Sequence, residues 1–235
     1  MHKSEWDFSI NTAILVILSV AAVCLYANTF DAPFLFDDKY SILDERAEIQ
    51  IEKLNLESLT QVVTRSHGRQ RPLSMITLAV NYYFHEFDVF GYHAVNLVIH
   101  LFTAFVLFFL LQTTLRLQIY NREKPVGPDD TLPGPASALE PTWMAFFAVL
   151  IWMVHPVQTN AVTYIVQRMT SLAALFYILS ILLYVKGRLA VRAGRFKSAA
   201  VLFVGCLFSG LCAFASKENA ATLPFFILLY EWFFF

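Results

Sequence analysis

The sequence predicts an all-α, polytopic membrane protein with about six transmembrane helices and a long first outer loop that bears interfacial helices. Hydrophobic residues make up 57% of the 235 residues, charged residues only 15%, and 23 residues are phenylalanine. A water-soluble domain does not need so many apolar side chains to fill its core. Several apolar runs are also close to the ~20 residues with which a helix crosses a bilayer. The excess of apolar side chains therefore belongs in lipid.

The first predicted span covers residues 10–27. Its N-terminal flank carries Glu5 and Asp7 beside Lys3, unlike the basic flank of a secretory signal peptide, so we expect this helix to be retained. Five further apolar segments are candidate spans. They cover residues 92–117, 141–157, 169–185, 198–215 and 220–235.

The lysines and arginines of the connections predict the orientation of these spans. With the long loop set aside, nine of them fall on the side of the N-terminus and two on the opposite side. Because positive residues concentrate in cytoplasmic loops, we expect a cytoplasmic N-terminus and a periplasmic, extracellular or lumenal loop at residues 28–91. The nine are Lys3, Arg116, Arg122, Lys124, Lys186, Arg188, Arg192, Arg195 and Lys197, and the two are Arg168 and Lys217.

The long loop at residues 28–91 contains helical segments of its own. Residues 55–65 place apolar side chains at helical spacing, and residues 73–87 form an apolar stretch rather short for a span, so both are predicted to be interfacial helices. Residues 121–141 are rich in proline and glycine and are predicted to form a loop. We expect residues 1–235 to form a single membrane module without helical repeats, ending abruptly as a truncated product would.

The sequence lacks the motifs that are typical of several classes of enzyme. There is no phosphate-binding glycine loop, no His-Glu-x-x-His motif and no nucleophile elbow, so nucleotide hydrolysis is not expected to drive the activity. Cys24, Cys206 and Cys212 lie in apolar runs without the spacing of metal ligands. We predict no protein-bound metal site from these cysteines and no nucleic-acid partner.

Two adjacent carboxylates, Asp37 and Asp38, follow the first span by about ten residues. They are predicted to lie near the outer membrane surface. A carboxylate there could take a proton from an incoming hydroxyl group or bind a cation, so both are candidate catalytic residues. An ordinary solvated turn is the alternative interpretation.

Three cations on the same predicted side are candidates for binding a phosphate. Arg71 belongs to a basic cluster before Pro72, Arg168 lies on a polar helical stripe, and Lys217 lies in a short outer connection beside Glu218. A guanidinium can hold a phosphate with two parallel hydrogen bonds. The alternatives are attraction to anionic lipid headgroups and a plain salt bridge within a loop.

Other polar residues are predicted to line a substrate cavity near the outer surface. Three of them share one face of a helix, because they follow one another at i, i+3 and i+7. A hydrogen-bonded seam between helices is the alternative for that face. The predicted cavity-lining residues are His93, Asn96, His100, His155, Gln158, Tyr164 and Glu218.

Five of these motifs, taken in order, resemble a known family. They are Phe34-Leu-Phe-Asp-Asp38, Arg71-Pro-Leu73, His93 with Asn96 and His100, His155-Pro156-Val-Gln158 with Tyr164 and Arg168, and Ser216-Lys-Glu218. The sequence resembles the N-terminal membrane portion of the transmembrane and tetratricopeptide repeat proteins, which are similar to GT-C-type O-mannosyltransferases and their bacterial relatives. The resemblance covers nearly the whole chain, whereas the further spans and helical repeats of the family are missing from it.

The resemblance implies a membrane glycosyltransferase. Such an enzyme transfers a sugar, here mannose, from a polyprenyl-phosphate carrier to a Ser or Thr hydroxyl of an acceptor protein outside the cytoplasm. It implies that the acidic pair is catalytic, with more weight on Asp37, and that the bilayer, the lipid-phosphate sugar and the acceptor protein are the partners. A divalent cation is left open as cofactor. A non-catalytic membrane anchor or assembly fragment and a lipid-linked sugar transporter are the alternative functions.

Overall fold

The computed structural model describes residues 2–44, 48–65, 69–122 and 136–235. Within these ranges the chain is helical and forms no β-strand, which confirms the all-α class. Short helical turns cover Ala27–Thr29, Lys39–Leu43, Ile165–Gln167 and Glu218–Thr222. The α-helices are α1 (His2–Tyr26), α2 (Leu56–Thr64), α3 (Pro72–His85), α4 (Val89–Arg122), α5 (Ala136–Val154), α6 (Gln158–Val162), α7 (Arg168–Arg192), α8 (Phe196–Ser216) and α9 (Leu223–Phe234).

Four helices in the described ranges are long and apolar enough to cross a membrane, which confirms a polytopic membrane protein. These segments are Phe8–Thr29, Val89–Tyr120, Ile165–Arg192 and Phe196–Ser216. The other two predicted spans form shorter helices, so the number of full-length spans found is four rather than six. Pro156 lies two residues after Val154, the last residue of α5, and Glu218–Thr222 form a tight helical turn instead of extending α9.

Both helices predicted within the long loop are confirmed. Residues 55–65 contain α2, whose N-terminus is capped because the Ser58 N–H donates to Asn55 Oδ1 at 2.8 Å. Residues 73–87 contain α3, which opens with Pro72 in its first turn.

The proline-rich loop predicted for residues 121–141 is only partly within the described residues, since residues 123–135 lie outside them. Its two ends were predicted wrongly, because α4 continues to Arg122 and α5 begins at Ala136. Alanine, leucine and glutamate dominate the residues just before Pro141, and these are good helix formers. Pro141 therefore lies inside α5 rather than at the end of a loop.

Helix α4 lies at the centre of the bundle and packs against α1, α5 and α7. Phe108 of α4 belongs to a buried apolar cluster with Leu18 of α1 and Val149 of α5. Leu110 of α4 belongs to a second cluster with Val185 of α7. With 34 residues, α4 is about 51 Å long, which exceeds the ~30 Å hydrocarbon core of a bilayer.

Helices α7 and α8 pack along their length as an antiparallel hairpin. Gly194 in the connecting turn has φ +69°, a conformation that glycine adopts readily after a helix. Gly187 allows close approach, because a Cβ atom there would lie 2.9 Å from the Phe203 ring. The Ser180 hydroxyl donates to the Cys206 carbonyl at 2.8 Å. Small residues and hydroxyl groups are the usual means by which membrane helices pack closely.

We expect Gly187→Leu to destabilise the α7–α8 hairpin. The added side chain requires space that the Phe203 ring fills, so α8 must shift outward. The free energy of unfolding should fall by about 1–3 kcal/mol. Thermal unfolding in detergent, followed by tryptophan fluorescence, measures the change. Val201→Leu, on an exposed part of α8, is the matched control, and an unchanged Tm for Gly187→Leu would contradict the close packing.

Candidate active site

A cavity of about 620 Å³ opens at the end of the bundle where α3 and α7 begin. Its volume is within the range of sites that bind small molecules. Four parts of the chain form its wall: the segment after α1, the start of α3, the start of α7 with the turn before it, and the residue after α8. The charged lining residues are Asp37, Asp44, Glu48, Arg71 and Lys217, and the polar ones are Tyr40, Ser41, Gln70 and Gln167.

The two adjacent aspartates have different surroundings. The Asp37 side chain is exposed and lines the cavity. Asp38 is 1% exposed and does not line it. Its Oδ1 accepts the Val166 N–H at 2.8 Å and its Oδ2 accepts the Leu35 N–H at 3.1 Å. Burial raises the pKa of Asp38, and these backbone hydrogen bonds oppose that rise. Asp37 can thus reach a molecule in the cavity, whereas Asp38 joins two backbone segments.

The loop that carries Asp37 is fixed to the turn before α7. Besides the bonds of Asp38, the Asp37 N–H donates to the Tyr164 hydroxyl at 2.9 Å. Phe36, directly before Asp37, has φ +45°, which is uncommon for a residue with a side chain. Its ring meets the Tyr164 ring edge-on, with 6.1 Å between centroids. The contacts on both sides hold this strained turn, so the position of Asp37 is set before any ligand binds.

Arg71 and Lys217 bring two cations to the cavity from different helices. The Arg71 guanidinium forms a bidentate pair with Glu218, with Nε–Oε2 and Nη2–Oε1 distances of 3.0 and 2.7 Å. This pair lowers the pKa of Glu218 to about 2. Lys217 Nζ donates to Thr170 Oγ1 at 2.8 Å. Burial, and then the charge of Arg71, lower the pKa of Lys217. Two cations therefore line the cavity, and one of them, Arg71, is paired with the carboxylate of Glu218.

Arg168, the third predicted phosphate ligand, is placed differently. Its side chain is 0% exposed and does not line the cavity. The guanidinium donates to Asn96 Oδ1 at 2.7 Å, to Asn81 Oδ1 at 2.6 Å and to the carbonyl oxygens of Thr77 and Tyr92 at 3.1 and 3.0 Å. These acceptors belong to α3 and α4, so Arg168 ties both helices to α7. Arg168 therefore does not reach the cavity in this structure, and its predicted contact with a phosphate stays a prediction.

The helix face formed by His93, Asn96 and His100 does not line the cavity either. His93 Nε2 lies 2.9 Å from the Ala32 carbonyl oxygen. His100 Nε2 lies 3.4 Å from the Met153 carbonyl oxygen, and its ring stacks on Trp152. All three side chains are buried, and their contacts fit the alternative interpretation of this face as a hydrogen-bonded seam between helices.

His155 and Gln158 are also absent from the cavity wall. The exposed His155 ring caps its own turn, because its Nδ1 accepts the Val157 N–H at 3.2 Å. Tyr164 and Glu218 do not line the wall themselves, and each contacts a residue that does. Tyr164 holds Asp37 and Glu218 holds Arg71. Of the predicted cavity-lining residues, these two are therefore connected with the site.

The neutral polar residues that line the cavity were not predicted from the sequence. Tyr40 and Ser41 line the cavity beside Asp37 and follow it at i+3 and i+4, a helical spacing that could have pointed to them. Gln70 precedes Arg71, and Gln167 precedes α7. Neither glutamine has a spacing that distinguishes it from an ordinary surface residue.

The described residues contain no group of three or more His, Cys, Asp or Glu side chains that could hold a metal ion. The cavity acids Asp37, Asp44 and Glu48 line one wall without forming such a cluster.

We expect Arg168→Met to destabilise the protein strongly. The variant leaves four buried oxygen atoms without their donor, at a cost of about 2–4 kcal/mol. The stability of Arg168→Lys should lie between that of the wild type and that of Arg168→Met, because one ammonium group cannot reach all four acceptors. Thermal unfolding in detergent measures the effect, and Arg65→Met, at an exposed arginine directly after α2, is the control. A wild-type Tm for Arg168→Met would contradict the structural role.

Comparison with curated proteins finds relatives that match most of the chain. Protein O-mannosyl-transferase Tmtc3 of Drosophila melanogaster is 30% identical over 232 residues, which are 95% of this chain and 24% of the fly protein. Protein O-mannosyl-transferase TMTC4 of Homo sapiens is 31% identical over 227 residues, which are 90% of this chain and 28% of the human protein. Protein O-mannosyl-transferase TMTC1 of Homo sapiens is 27% identical over 227 residues, which are 92% of this chain and 23% of the human protein.

The chain spans about a quarter of the length of these curated relatives. No protein-family model matches it. No solved structure matches it either. The resemblance inferred from the ordered motifs is nevertheless confirmed by the relatives. Over most of its length, the chain is a homologue of the transmembrane and tetratricopeptide repeat O-mannosyl-transferases.

Proposed function

We propose that this chain carries the donor-binding and catalytic end of a membrane O-mannosyltransferase. In this proposal the enzyme transfers mannose from a polyprenyl-phosphate carrier to a Ser or Thr hydroxyl of a protein. The observation that supports it best is the convergence of Asp37, Arg71 and Lys217 on one cavity. A carboxylate and two cations in one space suit a substrate that has both hydroxyl groups and a phosphate. The names of the relatives favour mannose and a protein acceptor.

Asp37 is the general base of the proposed reaction. As the acceptor oxygen attacks the anomeric carbon, the Asp37 carboxylate takes the hydroxyl proton. The bond between the anomeric carbon and the phosphate oxygen breaks, and its electron pair leaves with the carrier phosphate. Asp38 is a positioning residue, because it fixes the backbone on either side of Asp37 through Leu35 and Val166.

Arg71 and Lys217 bind the carrier phosphate and offset its charge as the sugar leaves. Arg71 already holds a carboxylate in bidentate fashion, the geometry in which guanidinium groups also hold phosphates. In the unloaded enzyme Glu218 occupies this position. Donor binding therefore exchanges one anion for another, and Glu218 returns when the carrier leaves.

The proposed reaction takes place outside the cytoplasm. The cavity lies at the end of the bundle that includes the start of α7 and the connection after α8. With the long loop set aside, the lysines and arginines counted on this side are Arg168 and Lys217. The basic connections lie at the other end. This asymmetry favours a cytoplasmic N-terminus and a cavity that faces the periplasm, the cell exterior or the endoplasmic reticulum lumen.

We expect Asp37→Asn to lower mannose transfer about 100-fold or more, because the amide cannot accept the hydroxyl proton. The assay uses labelled polyprenyl-phosphate mannose and membranes that contain the chain with its endogenous acceptor proteins. Asp31→Asn is the matched control, since Asp31 is an exposed acid of the same segment that does not line the cavity. Unchanged transfer by a folded Asp37→Asn variant would contradict the role of the base. Absence of transfer by the folded wild type would contradict an activity of this chain by itself.

We expect Glu218→Gln to lower the donor KM about fivefold, because the carboxylate that competes for Arg71 is gone. Arg71→Gln should instead raise the KM. Glu57→Gln, at an exposed position of α2, is the control. A higher KM for Glu218→Gln would mean that Glu218 holds Arg71 in place for the donor rather than competing with it.

A further inference from the structure

A cleft of about 500 Å³ lies between α4 and α7, at the end of the bundle opposite the Asp37 cavity. Both helices begin near that cavity, because Arg168 at the start of α7 donates to Asn96 of α4. The two helices therefore run in the same direction. They pack against each other in the buried cluster that contains Leu110 and Val185, and the cleft follows this cluster on both helices. It is the space that α4 and α7 leave between them at their ends.

The cleft lies at the height of the lipid headgroups. From Arg168 to Arg192, α7 rises about 36 Å, which exceeds the ~30 Å hydrocarbon core of a bilayer. Since α7 begins at the cavity near one membrane surface, its end reaches the headgroup layer of the opposite leaflet. In the orientation proposed above, this is the cytoplasmic leaflet.

Two arginines from different helices line the cleft, Arg116 of α4 and Arg192 of α7. Arg116 Nη2 donates to Thr142 Oγ1 at 3.2 Å. Arg192 Nη2 donates to the Phe235 carbonyl at 3.1 Å, and its guanidinium lies over the Phe235 ring, 4.4 Å from the centroid. The protein thus holds both side chains at the wall of the cleft, so little side-chain entropy is lost when an anion binds there.

The lining of the cleft has a net positive charge. In the part of the chain that the structure describes, no carboxylate lines it. Glu231 of α9 is bound elsewhere, since it forms a bidentate pair with Arg188, with Nε–Oε2 and Nη2–Oε1 distances of 2.9 and 2.5 Å. It also accepts the Tyr184 hydroxyl at 2.7 Å. An anion that entered the cleft would therefore meet two cations and no lining acid.

Apolar surface accompanies the two cations. Leu117 and Tyr120 of α4 and Leu189 of α7 line the cleft. Tyrosine rings are common where the hydrocarbon core meets the headgroups. Inorganic phosphate would gain nothing from these side chains, whereas a hydrocarbon chain would cover them and remove apolar surface from water. The lining therefore suits a molecule that joins an anionic head to hydrocarbon.

We propose that this cleft binds an anionic glycerophospholipid, with its phosphate between Arg116 and Arg192 and its acyl chains along Leu117 and Leu189. Basic pockets between membrane helices are typical sites for anionic headgroups, and guanidinium groups hold phosphates with paired hydrogen bonds. A zwitterionic phospholipid fits less well, because its ammonium group would meet two arginines. The site is separate from the cavity, and the inference does not depend on the proposed function. The bound lipid joins α4 to α7 where they leave space between them.

Native mass spectrometry of the full chain, released from detergent, tests the proposal by titration with dioleoyl phosphatidylglycerol. Arg116→Gln combined with Arg192→Gln should weaken the apparent affinity about tenfold. Arg195→Gln combined with Lys197→Gln is the matched control, because it removes the same charge from exposed positions at the same end that do not line the cleft. It should change the affinity by less than about twofold, since a charge that does not touch the phosphate is screened by water and salt.

A second variant tests the site without changing its charge and remains informative if the double arginine variant does not fold. Ala193→Trp places a large ring in the cleft, so the affinity should again fall about tenfold. Ala200→Trp, at an exposed position of α8 outside the cleft, should leave the affinity unchanged. Thermal unfolding supplies an independent readout. Phosphatidylglycerol should raise the Tm of the wild type and of Ala200→Trp, but not that of Ala193→Trp.

Three results would overturn the inference. They are equal affinities for phosphatidylglycerol and phosphatidylcholine, an equal loss of affinity in the two double variants, and displacement of the lipid by millimolar inorganic phosphate. The last result would mean that the cleft takes a free phosphate rather than a lipid. The expected result is a loss of affinity in the double arginine variant and in Ala193→Trp, with both controls unchanged.

Discussion

The candidate site depends most on the hydrogen bonds of the buried Arg168 guanidinium. An unpaired cation in a low-dielectric interior is costly, and no carboxylate appears among the partners described for Arg168. Four neutral oxygens from α3 and α4 surround it instead. Each acceptor must hold its position for the cation to remain inside. The start of α7, and with it the turn that holds the Asp37 loop, is fixed relative to α3 by this requirement.

The candidate site combines a carboxylate that is held in place, Asp37, with a cation, Arg71, that is paired at the protein surface. Asp37 lies on a strained turn that the neighbouring backbone and Tyr164 hold in place. Arg71 also lines the cavity, and its ion pair with Glu218 is partly exposed to solvent. In the proposed reaction, a fixed base and a solvent-exposed ion pair suit a charged group that arrives, changes partner and leaves.

The parts of the fold that the sequence predicted correctly depend on local pattern. Apolar runs of full length predicted the spans, the helical spacing of residues 55–65 predicted α2, and the apolar stretch at residues 73–87 predicted α3. Charge type and order along the chain also pointed to Asp37, Arg71 and Lys217. The location of the other predicted site residues depends on which neighbour a helix face meets. The spacing of His93, Asn96 and His100 established a shared face, yet only the packed bundle shows that this face meets α1, α5 and the turn before α7. Likewise, sequence could not distinguish a buried Arg168 from an accessible one.

The acceptors of Arg168 all precede it in the chain, at positions 77, 81, 92 and 96. During synthesis, α3 and α4 therefore leave the ribosome before the arginine that they must receive. When α7 enters the membrane, its cation can transfer from water directly to waiting oxygens. The partner of Arg71, by contrast, is residue 218, which follows Arg168 in the chain. The contacts around Arg168 can therefore form before the ion pair of Arg71 with Glu218.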